Sequence, residues 1–238
     1  MGEAFAVTRP PAPKRGDCFG HLAALENTAL AMTSITKETT MNENIFRFLA
    51  AIILFTSIGI SSYFRRKADK DTGEKISRKV DGSVLMTVIK VLGLVLWLSP
   101  LVYLLNPAWM AWSKIGLPEW VRWLGVGIGI VCTGLIYWLF SSIGSGISPT
   151  SATRKQHTLV TSGPYHWVRH PLYTVGSSMF ISFGMMADNW FIAALGMFAF
   201  IAMAIRTPKE EANLIEKFGD EYREYMKRTG RFLPRLKS

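Results

Sequence analysis

Long blocks of apolar residues, separated by short polar segments, make up most of the sequence after residue 44. Three blocks are long enough to cross a bilayer as helices, because about 20 residues span a hydrocarbon core of about 30 Å. They cover residues 45–64, 84–105 and 120–143, and the third is rich in glycine, which suits close helix packing in lipid. A fourth block, 172–205, is interrupted at Ala187-Asp188-Asn189, which predicts a tight hairpin of two short helices. We therefore expect an all-α, polytopic integral membrane protein with about five transmembrane helices and a C-terminal helical hairpin.

The overall composition agrees with a membrane protein and argues against other classes. Of the 238 residues, 49% are hydrophobic and only 18% are charged, whereas about 25% of residues are charged in soluble proteins. A net charge of +10 would ordinarily suggest nucleic acid as a partner. Here the basic residues lie between the apolar blocks, so membrane lipids are the expected partner and nucleic acid is not. The two cysteines, Cys18 and Cys132, are too few for a disulfide framework.

The distribution of Lys and Arg predicts which connecting segments face the cytoplasm. Seven follow the first block within residues 65–79, one (Lys114) follows the second, three precede the hairpin within residues 154–169, and nine follow Ile205. Lys and Arg accumulate on the cytoplasmic side of membrane proteins. The first, third and last of these segments are therefore predicted to be cytoplasmic, and the residues with candidate chemistry lie in the third and the last.

The same pattern divides the chain into three parts. Residues 1–44 contain three prolines, no apolar run and no signal-peptide core, which predicts a flexible N-terminal tail and leaves Met41 as an alternative start. Residues 45–143 are expected to form three transmembrane helices with a basic cytoplasmic loop. Residues 144–238 are expected to hold a polar loop, the hairpin and a C-terminal amphipathic helix.

The polar loop and the residues after it, 157–173, are rich in reactive side chains. They combine three histidines, one arginine, two tyrosines and a tryptophan. Pro171 suits the first turn of a helix, and the free N–H groups at that helix start, with its dipole, favour an anionic ligand group. Interfacial anchoring by aromatic residues and arginine is an equally good account from physics alone. The spacing of His157, His166 and His170, with no cysteine nearby, does not predict a zinc site.

A second polar cluster, residues 206–211, follows the hairpin. Arg206 is expected to end the last apolar helix, where a cation is favoured by the helix dipole. Pro208 is expected to begin a new helix with Glu210 and Glu211 in its first turn. That helix continues to about Lys227 with one apolar face, which predicts a cytoplasmic amphipathic helix along the membrane surface. Position alone favours a structural role for this cluster.

In their order and spacing, four stretches resemble the isoprenylcysteine carboxyl methyltransferase family. They are His157-Thr-Leu-Val-Thr-Ser-Gly-Pro-Tyr165, Val168-Arg-His-Pro-Leu-Tyr173, Arg206-xxx-Glu210-Glu211 and Phe218-Gly-Asp-Glu-Tyr-Arg-Glu-Tyr225. The resemblance covers roughly residues 145–235. It implies a methyltransferase that is embedded in the membrane, uses S-adenosylmethionine and receives this cofactor from the cytoplasmic side.

The resemblance also implies roles for individual residues. The implied cofactor-binding residues are His157, Thr158, Leu159, Val160, Tyr165, His170, Pro171, Leu172, Tyr173 and Glu210. Arg206 is implied to hold the carboxylate of the substrate and is the one catalytic residue expected. A carboxylate is already ionised at neutral pH, so the reaction needs positioning rather than a general base. The planar guanidinium of arginine suits this task because it can grip a carboxylate with two hydrogen bonds.

The methyl acceptor stays open at this level, although a lipophilic or lipidated substrate is expected. The resemblance favours the carboxylate of a prenyl-cysteine-like molecule, but another lipophilic carboxylate, a thiol or a lipid amine also fits. A phospholipid N-methyltransferase shares the membrane and the cofactor, although Arg206 would disfavour a cationic headgroup. A membrane sterol or enone reductase has a related Arg-His-Pro-x-Tyr and Glu-Glu pattern and would bind NADPH instead. A non-catalytic membrane protein that uses these residues as anchors is the fourth alternative.

Overall fold

A computed structural model describes residues 15–72, 84–143 and 159–235. The regular elements in these ranges are helices: α1 (Arg15–Thr72), α2 (Val84–Leu105), α3 (Glu119–Ile143), α4 (Pro171–Met186), α5 (Trp190–Phe218) and α6 (Asp220–Arg228). Two short 3-10 helices, Pro107–Ser113 and Gly163–His166, precede α3 and α4 respectively. The all-α fold class predicted from the sequence is confirmed.

Several of these helices are long and apolar enough to cross a membrane. Met41–Lys70, Glu119–Ile143 and Trp190–Phe218 pass this criterion singly, and Lys90–Leu105 passes it together with Pro107–Ser113, to which it is joined by a bend of 120°. The described residues therefore supply three spans, or four if the bent pair is one span. Helix α4 has 16 residues, about 24 Å of helix, so it forms the short arm of the predicted hairpin. The polytopic membrane architecture is confirmed, whereas the count of five spans stays a prediction.

The boundary between two compact units falls between Ile45 and Phe46. Helix α1 begins at Arg15, inside the segment for which the sequence predicts a flexible tail. The flexibility of residues 1–44 and the three-part division of the chain stay predictions. All contacts described below lie in the second unit.

Small residues let α3, α4 and α5 pack closely. A Cβ atom added to Gly125 of α3 would lie 2.8 Å from Met185 Cβ on α4, and one added to Gly184 would lie 2.6 Å from Ala193 Cβ on α5. Such positions allow two backbones to approach in a way that larger residues prevent. By contrast, a Cβ atom added to Gly127 would meet nothing within 4 Å. The helix hairpin is therefore a tightly packed unit against α3.

The turn between α4 and α5 is held by buried polar side chains. The carboxylate of Asp188, which has a positive φ of 51°, accepts hydrogen bonds from the backbone N–H groups of Gly116 (3.2 Å) and Leu117 (2.7 Å). The Asn189 side chain caps α5 by accepting from the Ile192 N–H at 3.0 Å. The break that the sequence predicts at residues 187–189 is thus confirmed as a capped, anchored turn.

The expected helix start at Pro208 is wrong. Helix α5 continues through Pro208 and ends only at Phe218, before Gly219 with its positive φ of 58°. Pro208 removes one backbone hydrogen bond from α5. The nearby Thr207 and Glu211 are buried, and this tertiary packing stabilises the continuous helix. The amphipathic segment is consequently split, and α6 turns Tyr222 and Tyr225 into the protein, where both are 2% exposed.

Candidate functional site

Along the chain, the candidate site begins in the polar loop before α4. Leu159 and Val160 are half-buried at its beginning, and the predicted residues His157 and Thr158 lie outside the described residues. Gly163 adopts a positive φ of 60° and is followed by the buried Pro164. This turn delivers the next residue, Tyr165, to the base of α4, so the Gly-Pro turn expected from the sequence positions a candidate site residue.

Tyr165 is fixed by helix α6. The Tyr225 hydroxyl donates a hydrogen bond to the Tyr165 carbonyl oxygen at 2.6 Å. Burial raises the pKa of Tyr165 above its usual range, and burial also raises the pKa of Tyr225 to about 12, outweighing the nearby Arg169 and Arg228. Both phenols are therefore neutral at physiological pH. The aromatic face of α6 contributes to the site by holding the loop.

The start of α4 presents two stacked rings. His170 occupies the position just before the helix and is buried, and Pro171 is the first helical residue. The rings of His170 and Tyr173 lie 5.4 Å apart and are parallel to within 8°. Leu172 is half-buried and packs against the hydrophobic core. The structure thus brings the predicted residues of this stretch to one helix end.

The two polar clusters of the sequence meet through Tyr173 and Glu210. The Tyr173 hydroxyl donates a hydrogen bond to Glu210 Oε2 at 2.7 Å. The negative charge of Glu210 also acts on Tyr165, and the positive charge of Arg206 acts on Tyr173. Arg206 and Glu210 are four residues apart on α5 and therefore share one helix face. One cluster therefore contains five residues named from the sequence: Tyr165, His170, Tyr173, Arg206 and Glu210. Its two segments are 33 residues apart along the chain at their nearest positions, 173 and 206.

A second carboxylate, that of Glu211, is next to Glu210 in sequence, and no role in the site was assigned to it from the sequence. It is 2% exposed, and its two oxygens accept from Arg169 Nε (2.8 Å) and Arg231 Nη2 (2.7 Å). Arg169 also donates to the carbonyl oxygens of Met226 and Thr229 at the end of α6. Glu211 therefore joins the polar loop, α5 and the C-terminal segment.

The C-terminal segment pairs with the polar loop through its backbone. The N–H groups of Arg169 and His170 donate to the carbonyl oxygens of Gly230 (2.9 Å) and Arg231 (3.0 Å). The Phe232 ring lies 6.1 Å from the ring of His170. No pattern in the sequence around residues 230–232 indicated this contact, because it depends on pairing across 60 residues. Arg169 and Glu211, in contrast, lie inside the recognised stretches.

The chemistry of this cluster suits a small ligand that carries both a positive and a negative group. Glu210 offers a carboxylate, Tyr165 and Tyr173 offer neutral aromatic faces, and Arg206 offers a guanidinium. The His170 Nε2 atom is buried and makes no hydrogen bond with the described residues, its nearest charged neighbour being Glu211 Oε1 at 3.5 Å. A buried polar atom of this kind needs a partner, and a ligand group can supply one.

Comparison with known proteins identifies relatives over the same region. Residues 125–216 match the sequence profile described as the isoprenylcysteine carboxyl methyltransferase (ICMT) family. The chain is 37% identical over 83 residues to the cobalt-zinc-cadmium resistance protein CzcN of Cupriavidus metallidurans, covering 35% of this chain and 38% of that protein. It is 33% identical over 134 residues to the human protein-S-isoprenylcysteine O-methyltransferase, covering 49% and 43%.

A third relative is the methanethiol S-methyltransferase of Pseudomonas deceptionensis, 32% identical over 133 residues, covering 54% of this chain and 50% of that protein. The matches span between 38% and 50% of the length of these three relatives. A solved structure of the eukaryotic intramembrane Ras methyltransferase ICMT aligns over 91% of this chain and 90% of that chain, with a TM-score of 0.48 and 17% identity.

Proposed function

We propose that this chain, whose residues 125–216 match the isoprenylcysteine carboxyl methyltransferase family, is a membrane methyltransferase. It moves a methyl group from S-adenosylmethionine to a lipophilic acceptor, and the preferred acceptor is the carboxylate of a prenyl-cysteine-like molecule. The observation that carries the proposal is the hydrogen bond from Tyr173 to Glu210 with Arg206 beside it. That contact joins the two halves of the family pattern into one charged, aromatic cluster.

The cofactor site is proposed at the start of α4. S-adenosylmethionine supplies an activated methyl group on a positively charged sulfur. Glu210, with Tyr165 and Tyr173 beside it, would balance positive charge on the bound cofactor, and aromatic faces add to the attraction for a cation. The buried His170 Nε2 atom and the positive end of the α4 dipole suit the carboxylate of the same molecule. The cluster therefore offers a complement to both the positive and the negative groups of the cofactor.

Arg206 is proposed to hold the acceptor. It lies one helical turn before Glu210 on the same face of α5, so a carboxylate gripped by its guanidinium would lie next to the cofactor site. An ionised carboxylate attacks without losing a proton, so positioning and exclusion of water are what the protein contributes. The segments that carry the site are rich in Lys and Arg, which supports an active site facing the cytoplasm.

A different acceptor on the same scaffold is the second candidate. One relative is a methanethiol S-methyltransferase, which supports a thiol in place of a carboxylate. A thiol must lose its proton before attack, and because its pKa lies at or above that of cysteine, about 8.5, turnover would rise with pH between about 7 and 9. A carboxylate acceptor would give no such rise, because it is ionised throughout this range.

Transfer of a labelled methyl group decides between these acceptors. The full-length protein in nanodiscs would receive labelled S-adenosylmethionine together with a farnesyl-cysteine analogue, methanethiol or phosphatidylethanolamine. We expect the label in the farnesyl-cysteine analogue, and its loss with Arg206→Ala. Label in the thiol or the phospholipid alone would replace the preferred acceptor. Binding of NADPH without binding of S-adenosylmethionine would overturn the proposed function in favour of a reductase.

A further inference from the structure

Glu211 is one of the buried acids among the described residues, and it contacts two arginines that are far from it in sequence. Its side chain is 3% exposed, and each of its oxygens accepts a hydrogen bond from a different arginine. The charge of Glu211 is therefore already matched by two guanidinium groups. Its contribution to the site is expected through the groups that it holds.

His170 is contacted by the C-terminal segment, by two aromatic rings and by Glu211. Its backbone N–H donates to the Arg231 carbonyl oxygen at 3.0 Å, so the position of the backbone depends on the C-terminal segment. Its ring lies 5.4 Å from the ring of Tyr173 and 6.1 Å from the ring of Phe232. Its Nε2 atom is 3.5 Å from Glu211 Oε1.

The C-terminal segment itself depends on the Glu211 ion pairs. Arg231 reaches Glu211 Oε2 at 2.7 Å, and the Thr174 hydroxyl donates to the Phe232 carbonyl oxygen at 2.8 Å. Arg169, which holds the other oxygen of Glu211, also donates its backbone N–H to Gly230. Breaking the link between Arg231 and Glu211 removes the charged contact that fastens this segment to α5.

We propose that Glu211 and Arg231 are positioning residues that hold Gly230–Phe232 against the polar loop and thereby fix His170 for binding of the methyl donor. This inference rests on the proposed function, since it assigns a role in the same site. The acceptor is held by Arg206, one turn before Glu210 on α5, and its binding should not depend on this contact.

The test uses the full-length protein in nanodiscs and two measurements. Hydrogen exchange at the amides of Arg169, His170 and Gly230 reports whether the segment is attached, because these three amides donate the bonds that join it to the loop. Calorimetric titration with S-adenosylmethionine reports the affinity of the site. The first measurement is independent of any activity.

The central variant is Arg231→Ala, since the Arg231 side chain is 43% exposed and its loss leaves Glu211 paired with Arg169. We expect faster exchange at the three amides and an affinity for S-adenosylmethionine that is weaker by about tenfold, as for loss of one charge-assisted hydrogen bond. The KM for the acceptor should not change. Arg231→Lys should restore part of the affinity because it keeps the charge. Glu211→Gln should act in the same direction.

Arg223→Ala is the matched control, because Arg223 forms an exposed ion pair with Asp220 on α6 and lies outside the site. It should change neither measurement. Unchanged exchange in Arg231→Ala would show that the segment is held without this ion pair, and faster exchange with unchanged affinity would show a purely structural role. Either result overturns the inference. Failure of the unaltered protein to bind S-adenosylmethionine would instead overturn the proposed function, while the exchange measurement would still decide whether the segment is attached.

Discussion

Glu210 and Glu211 are neighbours in α5, yet their carboxylates serve different parts of the protein. Glu210 accepts a hydrogen bond from the Tyr173 hydroxyl at 2.7 Å, whereas Glu211 is buried between Arg169 and Arg231. Successive residues of a helix point about 100° apart, so an adjacent pair can supply one group to a ligand and the other to the scaffold. The two glutamates therefore have separate contacts, and the proposed function assigns only Glu210 to the ligand.

The first prediction concerns Glu210. Glu210→Gln should weaken binding of S-adenosylmethionine by about tenfold or more, because a negative charge beside a cationic ligand is removed. Tyr173→Phe should weaken binding less, since it deletes only the hydrogen bond that orients Glu210. Titration calorimetry of both variants measures this order. An unchanged affinity in Glu210→Gln would remove Glu210 from the cofactor site.

The second prediction concerns Arg206. Arg206→Ala should lower turnover by about 100-fold, the order of effect expected when a substrate is misplaced by about 1 Å, and leave the affinity for S-adenosylmethionine within about threefold of the unaltered protein. Lys209→Ala, an exposed position on the same helix, is the control and should have little effect on either quantity. Equal loss of cofactor binding in Arg206→Ala would contradict the separation of acceptor and cofactor roles.

The third prediction concerns His170. His170→Ala removes both the ring that stacks on Tyr173 and the buried Nε2 atom, so binding of S-adenosylmethionine should be strongly weakened. His170→Phe keeps a ring for stacking but has no nitrogen, and it should retain an affinity between those of the alanine variant and the unaltered protein. Affinities that do not differ among the three proteins would show that His170 does not contact the cofactor.

The fourth prediction tests the packing of the helix hairpin that carries the site. Gly184→Ala would place a Cβ atom 2.7 Å from the backbone nitrogen of Ala193, and overpacking of this kind costs about 1–3 kcal/mol. Gly127→Ala has open space around the new atom and should be neutral or slightly stabilising. Thermal unfolding in one detergent compares the two, and equal midpoints would mean that α4 and α5 can separate without cost.

Much of the membrane architecture follows from local sequence. The apolar blocks at 84–105 and 120–143 become α2 and α3 within one residue at each end, because the length of an apolar helix is set by the bilayer that it crosses. The interruption at residues 187–189 becomes the turn of the hairpin, since Asp and Asn favour turns and helix starts. The prediction that a new helix begins at Pro208 is wrong, because a proline does not end a helix where packing on both sides of it favours a continuous one.

The sequence also predicts which residues form the candidate site, but it does not predict what each of them contacts. Side-chain types and spacing reveal which residues belong to a family pattern, and those are properties of the chain alone. Which glutamate faces the ligand, and which one fastens the C-terminal segment to the polar loop, depends on contacts such as that of Tyr225 with Tyr165 across 60 residues. Only the folded arrangement decides such contacts, because a hydrogen bond forms where two groups meet in space, however distant they are along the chain.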